Sequence, residues 1–265
     1  MLKATEAGFT YGKGPLLFSG ISFEVKEGET LAILGPNGIG KTTLLRCIMR
    51  FLELSEGQIE IGGRDVRQLK SGEFWKDISY VPQAKRLVFG YSAVNMVVMG
   101  LSQNIAFGRT PKKSDYEKAY QLLDGFGLND IADQSCNTLS GGQLQMVLIA
   151  RSLIKRPRLL IMDEPESNLD MKNQLIVLNT IERLAGDRLA ILINTHYPEH
   201  ALRCAGKTLL MGKHGYLFGN TKEVITVPNI REYFEIESQI LDCERNGRSY
   251  QSILPIDVLQ RREQG

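Results

Sequence analysis

The stretch Leu31-Ala32-Ile33-Leu34-Gly35-Pro36-Asn37-Gly38-Ile39-Gly40-Lys41-Thr42 joins an apolar run to a glycine-rich loop. The apolar run suits a fully buried strand of a parallel sheet. After the loop, apolar residues recur at helical spacing, at Leu44, Leu45, Ile48, Met49 and Leu52. A strand that passes through G-x-x-x-x-G-K-[ST] into a helix is the context that a phosphate-binding loop requires. The stretch therefore predicts an α/β fold built around such a loop.

Each residue type in the loop has a chemical reason to be there. Glycines allow backbone N–H groups to curl around a β-phosphate, and the following helix adds its positive end. Lys41 is expected to reach the β- and γ-phosphates, and the Thr42 hydroxyl to ligate Mg²⁺. The loop therefore predicts a nucleoside triphosphate and magnesium as ligands.

A second motif, Leu159 to Glu164, places two carboxylates directly after four apolar residues. Open α/β sheets bind ligands at the carboxyl ends of their strands, where these acids would lie. Asp163 is predicted to hold Mg²⁺ through water, and Glu164 to polarise an attacking water. The alternative is an acidic helix start before Pro165, and the phosphate loop disfavours it.

A third motif, Leu139-Ser140-Gly141-Gly142-Gln143, opens a helix. Ser140 is a good N-cap, and the two glycines expose backbone N–H groups that suit a second anion. One nucleotide rarely needs two such loops from one domain. We therefore expect two copies to face each other head to tail, each covering the γ-phosphate of the other. A loop with an ordinary capped helix is the alternative.

Composition narrows the class of protein. The chain has 265 residues, 43% hydrophobic and 23% charged, with a net charge of +2. The interleaved charges form no basic stripe, which argues against a nucleic-acid partner. The four cysteines are far apart and suit reduced cytosolic thiols. No apolar run approaches the roughly 20 residues of a membrane span, and no signal peptide is evident. We expect a cytosolic chain that meets a membrane only through a partner.

The order of patterns predicts a helical insertion within an α/β domain. Alternation over Phe18–Val25 predicts a strand, whereas Ser114 opens a capping box, and a second helix is predicted from about residue 142 to 155. The α/β pattern then resumes with a strand at Leu159, a helix over Met171–Leu184 and a strand over Leu189–Asn194. Beyond about residue 228 the pattern is weak, and we predict an extension of unassigned function.

Together these motifs resemble the ATPase subunit of an ABC transporter, over about residues 2 to 225. The motifs in matching order are the phosphate loop, Gln83, Leu139–Gln143, Asp163-Glu164, Asn168-Leu169-Asp170 and His196. The resemblance implies a P-loop NTPase core with an N-terminal antiparallel β subdomain and a helical subdomain inserted at about 84–156. Residues 226–265 would form a C-terminal extension.

The resemblance also implies roles for individual residues. Tyr11 is similar to the aromatic that stacks on adenine, and Gln83 to the glutamine that touches Mg²⁺ and the attacking water. His196 resembles the histidine that hydrogen-bonds the γ-phosphate, while His200 and His214 match nothing. The loop of Ser167, Asn168, Leu169 and Asp170 is similar to one that couples two ATP sites across a dimer. The ATP-binding set is Tyr11 with Gly35, Pro36, Asn37, Gly38, Ile39, Gly40, Lys41, Thr42 and Thr43. The catalytic set is Glu164, His196, Gln83 and Lys41, the magnesium set is Thr42, Gln83 and Asp163, and the set acting in trans is Ser140, Gly141, Gly142 and Gln143.

The resemblance implies partners in a membrane. ABC exporters commonly fuse the ATPase to its membrane domain, and no span is evident here, so import is favoured. Residues 91–100, the helix from Ser114 and residues 128–133 look like the subgroup that imports iron–siderophore, haem or cobalamin. Such a subunit works as a dimer on the cytoplasmic face of the membrane, bound to permease subunits and served indirectly by a solute-binding protein.

Three alternatives remain beside the importer. One is a soluble ABC ATPase for protein assembly, such as iron–sulfur cluster scaffolds. An apolar groove around residues 84 to 110, with Phe89, Tyr91, Val94 and Met96 as lining, would argue against it. A DNA-repair or chromosome-structure ATPase would need a long coiled coil, and no heptad run is present. An inactive regulatory homologue is disfavoured because Lys41, Asp163, Glu164 and His196 are all present.

The chain departs from many relatives at two places. Leu144-Gln145-Met146 stands where many have Arg-Gln-Arg, and Glu166 stands where many have threonine. Neither change removes a group predicted to touch phosphate. They affect the expected contacts between subunits and leave the prediction of ATP hydrolysis unchanged.

Overall fold

The computed structural model describes residues 1–83, 90–104, 110–185 and 188–259. They form two compact units. Unit 1 comprises Met1–Arg67 and Leu192–Gly265, and unit 2 comprises Gln68–Ile191. The chain therefore leaves the first unit once and returns to it.

The strands are β1 Leu2–Thr10, β2 Leu16–Val25, β3 Thr30–Leu34, β4 Glu56–Ile61, β5 Arg64–Asp65, β6 Ile78–Val81, β7 Leu159–Asp163, β8 Ala190–Asn194, β9 Lys207–Gly212, β10 Gly215–Asn220, β11 Ile236–Arg245 and β12 Arg248–Val258. The α-helices are α1 Lys41–Ile48, α2 Ser71–Asp77, α3 Ala93–Val98, α4 Lys113–Gly125, α5 Gly141–Leu153, α6 Met171–Ala185, α7 Pro198–Cys204, α8 Thr221–Val224 and α9 Val227–Phe234. Short 3₁₀ helices span Val66–Gln68, Met99–Asn104, Asn129–Ile131 and Cys136–Thr138.

Unit 1 begins with an antiparallel sheet in the order β2-β1-β4-β5. The register pairs Leu2 with Val25 and Phe9 with Phe18. Along β1 and β2 buried apolar residues alternate with more exposed ones, except over Ala7 to Phe9, where the register shifts. Such alternation is expected for an antiparallel sheet with one face toward water. This sheet confirms the predicted N-terminal antiparallel β subdomain.

The same unit contains parallel strands. β3 runs parallel to β9, from Leu31 opposite Lys207 to Leu34 opposite Leu210, and β9 continues antiparallel to β10. All five residues of β3 are buried, as the unbroken apolar run predicts. The carboxyl end of β3 is therefore the fixed point from which the glycine-rich loop departs.

The C-terminal extension contributes to the core of unit 1. Ile230 of α9 is fully buried, in a cluster with Ala32, Leu34 and Leu210. The hairpin of β11 and β12 follows, and β12 packs on α7. The weak periodicity beyond residue 228 is explained by this short helix and the largely exposed hairpin. The boundary at residue 226 itself stays a prediction.

Unit 2 carries the helical insertion. Helix α5 contacts both α3 and α4 and also β6, while β6 runs parallel to β7. The fold of the insertion confirms the predicted helical subdomain. One helix start was wrong: α4 begins at Lys113, so Ser114 lies inside it. The Asp115 carboxylate accepts a hydrogen bond from the Lys112 N–H at 2.9 Å, and this bond replaces the predicted serine cap.

Two further features bear on the predictions. Helix α1 ends at Ile48, where the backbone turns to a positive φ at Arg50, so Leu52 lies beyond the helix. Among the residues described, no helix combines the length and the apolar character that crossing a bilayer requires.

The cysteines form no disulfide in the described part of the chain, which includes all four. Cys47 is buried in α1, and its burial raises the pKa of the thiol to about 12. A thiol that stays protonated at neutral pH is a poor nucleophile and metal ligand. Cys47 therefore acts as a small apolar residue of the core.

We predict that Ile230→Ala destabilises the protein by about 2–5 kcal/mol, because it opens a cavity in the cluster around β3 and β9. Ile256→Ala is the matched control, since that side chain is 57% exposed on the hairpin and its loss should cost less than about 0.5 kcal/mol. Urea unfolding followed by far-UV circular dichroism measures both. Equal midpoints for the two variants would show that α9 is an appendage outside the core.

Candidate active site

The loop between β3 and α1 has the backbone of a phosphate cradle. Gly35 must lack a side chain, because a Cβ there would lie 2.3 Å from the Met211 carbonyl oxygen. Gly40 caps α1 in the left-handed conformation, with φ of 104°. Glycine adopts this backbone at low cost, and it turns successive N–H groups toward one side. The loop can therefore surround an anion, as the sequence predicts.

Lys41 lies against this loop. Its side chain is buried, and its Nζ donates to the carbonyl oxygens of Gly35 at 2.7 Å and Pro36 at 2.9 Å. A buried cation requires partners that offset its desolvation. The loop carbonyls supply them and keep the positive charge within the loop, which suits a phosphate ligand.

Tyr11 follows β1 and is 56% exposed. Its hydroxyl and the Thr43 hydroxyl are hydrogen-bonded at 3.1 Å, and its ring meets Phe9 edge to face at 4.8 Å. An exposed ring held at its edge and its hydroxyl retains a face for stacking. The sequence motif did not reveal this contact between Tyr11 and the buried Thr43.

His196 follows β8, also in unit 1. The preceding residue, Thr195, donates its N–H to the Ile33 carbonyl of β3 at 3.1 Å. The ring of half-buried His196 packs on Tyr197 with centroids 4.0 Å apart. The histidine is therefore fixed beside the strand from which the glycine-rich loop departs.

In unit 2, Asp163 ends β7 as predicted. Tyr80 of the neighbouring strand β6 donates its hydroxyl to Asp163 Oδ2 at 3.3 Å. Sequence reasoning missed Tyr80, although an aromatic hydroxyl near the end of a strand parallel to β7 was a usable signal. The bond limits the orientations open to the carboxylate.

Glu164 has a strained backbone, with φ of 47°. The left-handed conformation costs a residue with a Cβ roughly 1–2 kcal/mol and persists where surrounding contacts impose it. Here the Glu164 carbonyl accepts the N–H of Ser167 at 3.1 Å and the Ser167 hydroxyl at 2.9 Å. Strain of this kind concentrates at functional sites.

Gln83 joins the same group. Its Nε2 donates to Ser167 Oγ at 2.7 Å. Unit 2 therefore brings together Gln83, Glu164 and Ser167, while unit 1 brings together Gly35, Pro36 and Lys41, and separately Tyr11 and Thr43.

The Ser140 motif forms a complete capping box at the start of α5. Ser140 Oγ accepts from the Gln143 N–H at 3.3 Å, and Gln143 Oε1 accepts from the Ser140 N–H at 2.9 Å. Gly142 has a packing role as well, because a Cβ there would lie 2.1 Å from Asn173 Oδ1 of α6. Part of this motif therefore serves the chain's own fold, as the capped-helix alternative proposed.

The loop from Ser167 to Asp170 is held by hydrogen bonds to Asn173 of helix α6. Asp170 accepts the backbone N–H of Asn173 at 2.8 Å and its side-chain Nδ2 at 3.0 Å. A Cβ on Gly141 would meet Leu169 at 3.4 Å, an ordinary contact. Asn173, which no motif pointed to, therefore connects the two loops.

The residues predicted for magnesium carry the right ligand atoms. Thr42, Asp163 and Gln83 offer hydroxyl, carboxylate and carboxamide oxygen, and Mg²⁺ prefers oxygen. Within the described ranges no group of three or more His, Cys, Asp or Glu side chains could hold a metal by itself. Mg²⁺ commonly binds through one or two protein groups with substrate phosphates and water. The donor set fits that mode.

A buried strand, a glycine-rich loop that holds a buried lysine and, further along the chain, a buried strand that ends in an aspartate form the sequence pattern of a P-loop ATPase. The family model described as ABC transporter matches residues 18–167. The molybdate import ATP-binding protein of Haemophilus influenzae is 35% identical, covering 89% of this chain and 88% of that protein. The probable iron chelatin transport ATP-binding protein of Helicobacter pylori is 34% identical, covering 89% and 93%. The chain belongs to the ABC transporter family and is an ATP-binding subunit with ATPase activity.

A solved structure agrees with this assignment. An ABC transporter described as being of the metal-chelate type, in an inward-facing conformation, superposes with a TM-score of 0.85 at 33% identity. The match covers 96% of this chain and 97% of that one. The predicted P-loop core of the ABC ATPase type is thereby confirmed.

We predict that Lys41→Met lowers the affinity for ATP at least tenfold, because the loop loses its buried cation. Lys155→Met is the matched control, since Lys155 Nζ also donates to two backbone carbonyls, those of Trp75 and Ile78, both at 2.5 Å. The control should lose stability and keep its ATP affinity. Isothermal titration measures both, and unchanged binding by Lys41→Met would contradict the role of Lys41.

Proposed function

We propose that the chain hydrolyses Mg·ATP as one half of a head-to-tail dimer and powers a membrane importer. The observation that carries the dimer is the presence of two helix starts built for anions, at α1 after Gly40 and at α5 after Ser140. The first suffices for the phosphates of a bound nucleotide. The second has exposed Ser140 and Gly141 at its start and is available to the nucleotide of another copy.

The residues take the roles that the family resemblance assigns. The glycine-rich loop and Lys41 hold the phosphates, and Tyr11 stacks on adenine. Thr42, Gln83 and, through water, Asp163 would hold Mg²⁺, which would neutralise charge on the phosphates. Glu164 accepts a proton from the attacking water, and His196 donates to the γ-phosphate. The strained backbone of Glu164 supports this assignment, because strain of this kind concentrates at functional sites.

A cleft in unit 2 is the proposed site for the permease. It has a volume of about 330 Å³. Its lining combines apolar and basic side chains, among them Trp75, Tyr80, Pro82, Met99, Arg151 and Lys155. Burial lowers the pKa of the Lys155 ammonium, and Asp77 acts in the opposite direction. An amphipathic segment of a membrane subunit on the cytoplasmic face would find both kinds of partner here.

The lining differs from the one predicted from sequence. Val94 and Met96 are each 4% exposed, because α3 packs against α5 and α4, so they cannot line a surface groove. Tyr91 is 43% exposed, as a lining residue requires. Phe89 lies outside the described residues.

We infer that the solute is of the metal-chelate type, delivered by a solute-binding protein. The solved relative of that type and the iron chelatin relative support this class. The molybdate relative, at similar identity, supports a wider range of imported solutes. The alternative function is a soluble ATPase that serves protein assembly. Recovery of the protein from membranes distinguishes the two functions.

We predict that Ser140→Asp abolishes dimerisation. Aspartate is a good N-cap, so α5 should persist, while its charge opposes a γ-phosphate bound on the other copy. Glu164→Gln should retain ATP and slow turnover, so that ATP traps a dimer visible by gel filtration. Adding Ser140→Asp to Glu164→Gln should leave a monomer that still binds ATP.

Ser92→Asp is the matched control for this dimer test, because Ser92 caps α3 through Asn95 in the same unit. In the Glu164→Gln background it should permit trapping. A monomer that loses ATP binding on Ser140→Asp would show that Ser140 acts on its own chain's nucleotide.

We predict that the native chain is recovered from membranes with a polytopic permease and that Met99→Glu prevents this, because it places a charge in the cleft. Leu241→Glu, at a 47% exposed position on β11, is the control and should leave recovery unchanged. Affinity purification from detergent extracts measures both. Native protein found only in the soluble fraction would favour the assembly ATPase.

A further inference from the structure

We propose that Ser167 is a positioning residue that orients the carboxamide of Gln83 and ties it to the backbone of Glu164. The inference rests on the proposed function, because it gives Gln83 the role of contacting Mg²⁺ and the attacking water. It adds a defined physical connection between that glutamine and the loop from Ser167 to Asp170.

The sense of the hydrogen bonds follows from the chemistry of the groups. A serine hydroxyl has one proton to donate. The Glu164 carbonyl carries no proton, so the 2.9 Å contact uses the proton of Ser167 Oγ. Ser167 Oγ can then only accept from Gln83 across the 2.7 Å contact, and the Gln83 atom there must be Nε2. With its nitrogen engaged, the carboxamide presents Oε1, the atom that a magnesium ion or a water proton requires.

Ser167 also braces Glu164 itself. Its backbone N–H and its hydroxyl both donate to the Glu164 carbonyl, at 3.1 and 2.9 Å. These two bonds hold the residue whose φ is 47°. Ser167 is 8% exposed, so water competes weakly for its hydroxyl. A shift of Ser167 would therefore move the glutamine and the carboxylate-bearing residue together.

The variant that tests this is Ser167→Ala. Without the acceptor, the Gln83 carboxamide is free to rotate, so the Kd of Mn²⁺ for the protein bound to a non-hydrolysable ATP analogue, measured by electron paramagnetic resonance, should rise about fivefold to tenfold, the range that one lost hydrogen bond gives. The Mg²⁺ concentration for half-maximal ATPase should rise by the same factor. The KM for ATP should change less than twofold, since nucleotide affinity resides in the phosphate loop. Ser167→Thr keeps the hydroxyl, so its magnesium dependence should lie within about twofold of the native value, because the hydrogen bond is retained.

Ser152→Ala is the matched control. Ser152 is 7% exposed and donates its hydroxyl to the carbonyl three residues back, Ile149, at 2.6 Å. Ser167 donates three residues back in the same way. A loss of stability without a change in magnesium dependence is expected for Ser152→Ala. If both alanine variants shift the magnesium curve equally, the effect of Ser167 is general and the proposal is wrong.

A double-mutant cycle decides whether Ser167 acts through Gln83. In the Gln83→Ala background, adding Ser167→Ala should shift the magnesium dependence less than about twofold, because the carboxamide that Ser167 orients is already gone. If the two substitutions act independently, so that their effects on magnesium dependence multiply, the proposal is wrong. Wild-type behaviour of Gln83→Ala would show instead that the proposed role of Gln83 is wrong. Impairment by Gln83→Ala with normal magnesium dependence in Ser167→Ala would reject the positioning role alone.

Discussion

The close approach of Gly35 to the Met211 carbonyl is the constraint on which the phosphate loop depends. β3 runs parallel to β9 and ends at Leu34, opposite Leu210, and only a residue without a side chain can pass the carbonyl of Met211 in β9 at this distance. The chain must therefore leave the sheet in a glycine conformation immediately after the buried run. Lys41 is then held by the carbonyls of Gly35 and Pro36, so its position follows from the same turn. The packing of Gly35 against β9 therefore determines the path of the loop and, through it, the position of the Lys41 ammonium.

The sequence allowed the strands and the loop to be predicted because each is specified locally. Continuous apolar runs such as Leu31–Leu34 and Leu159–Met162 can be satisfied only by burial, and both are strands. The capping box at Ser140 is also local, since its two bonds span three residues. At the start of α4 two local signals competed, the hydroxyl of Ser114 and the carboxylate of Asp115. The Asp115 carboxylate accepts the hydrogen bond that caps the helix, which therefore begins one residue before the predicted serine.

Contacts between distant segments could not be predicted from one sequence. Gly142 is limited by Asn173, 31 positions later, and Gln83 meets Ser167 across 84 positions. The burial of Val94 and Met96 likewise depends on α5 packing against α3. Family resemblance named Gly142 and Gln83 for their action on nucleotide, but it is silent about these internal partners. The residues that motifs cannot identify, such as Tyr80 and Asn173, are those whose role is to hold a motif residue.

Several motif residues therefore combine a structural role with a proposed chemical one, and this limits how they can vary. Ser140 caps α5 through its hydroxyl, so residues that cannot cap would destabilise the helix before affecting any partner. A side chain at Gly142 would have to displace the side chain of Asn173. At Glu164 the strained backbone is held by one turn, which Ser167 closes with both its N–H and its hydroxyl. Because that hydroxyl also accepts from Gln83, a single serine contacts both Gln83 and the backbone of Glu164, and a change in the turn would reach both residues.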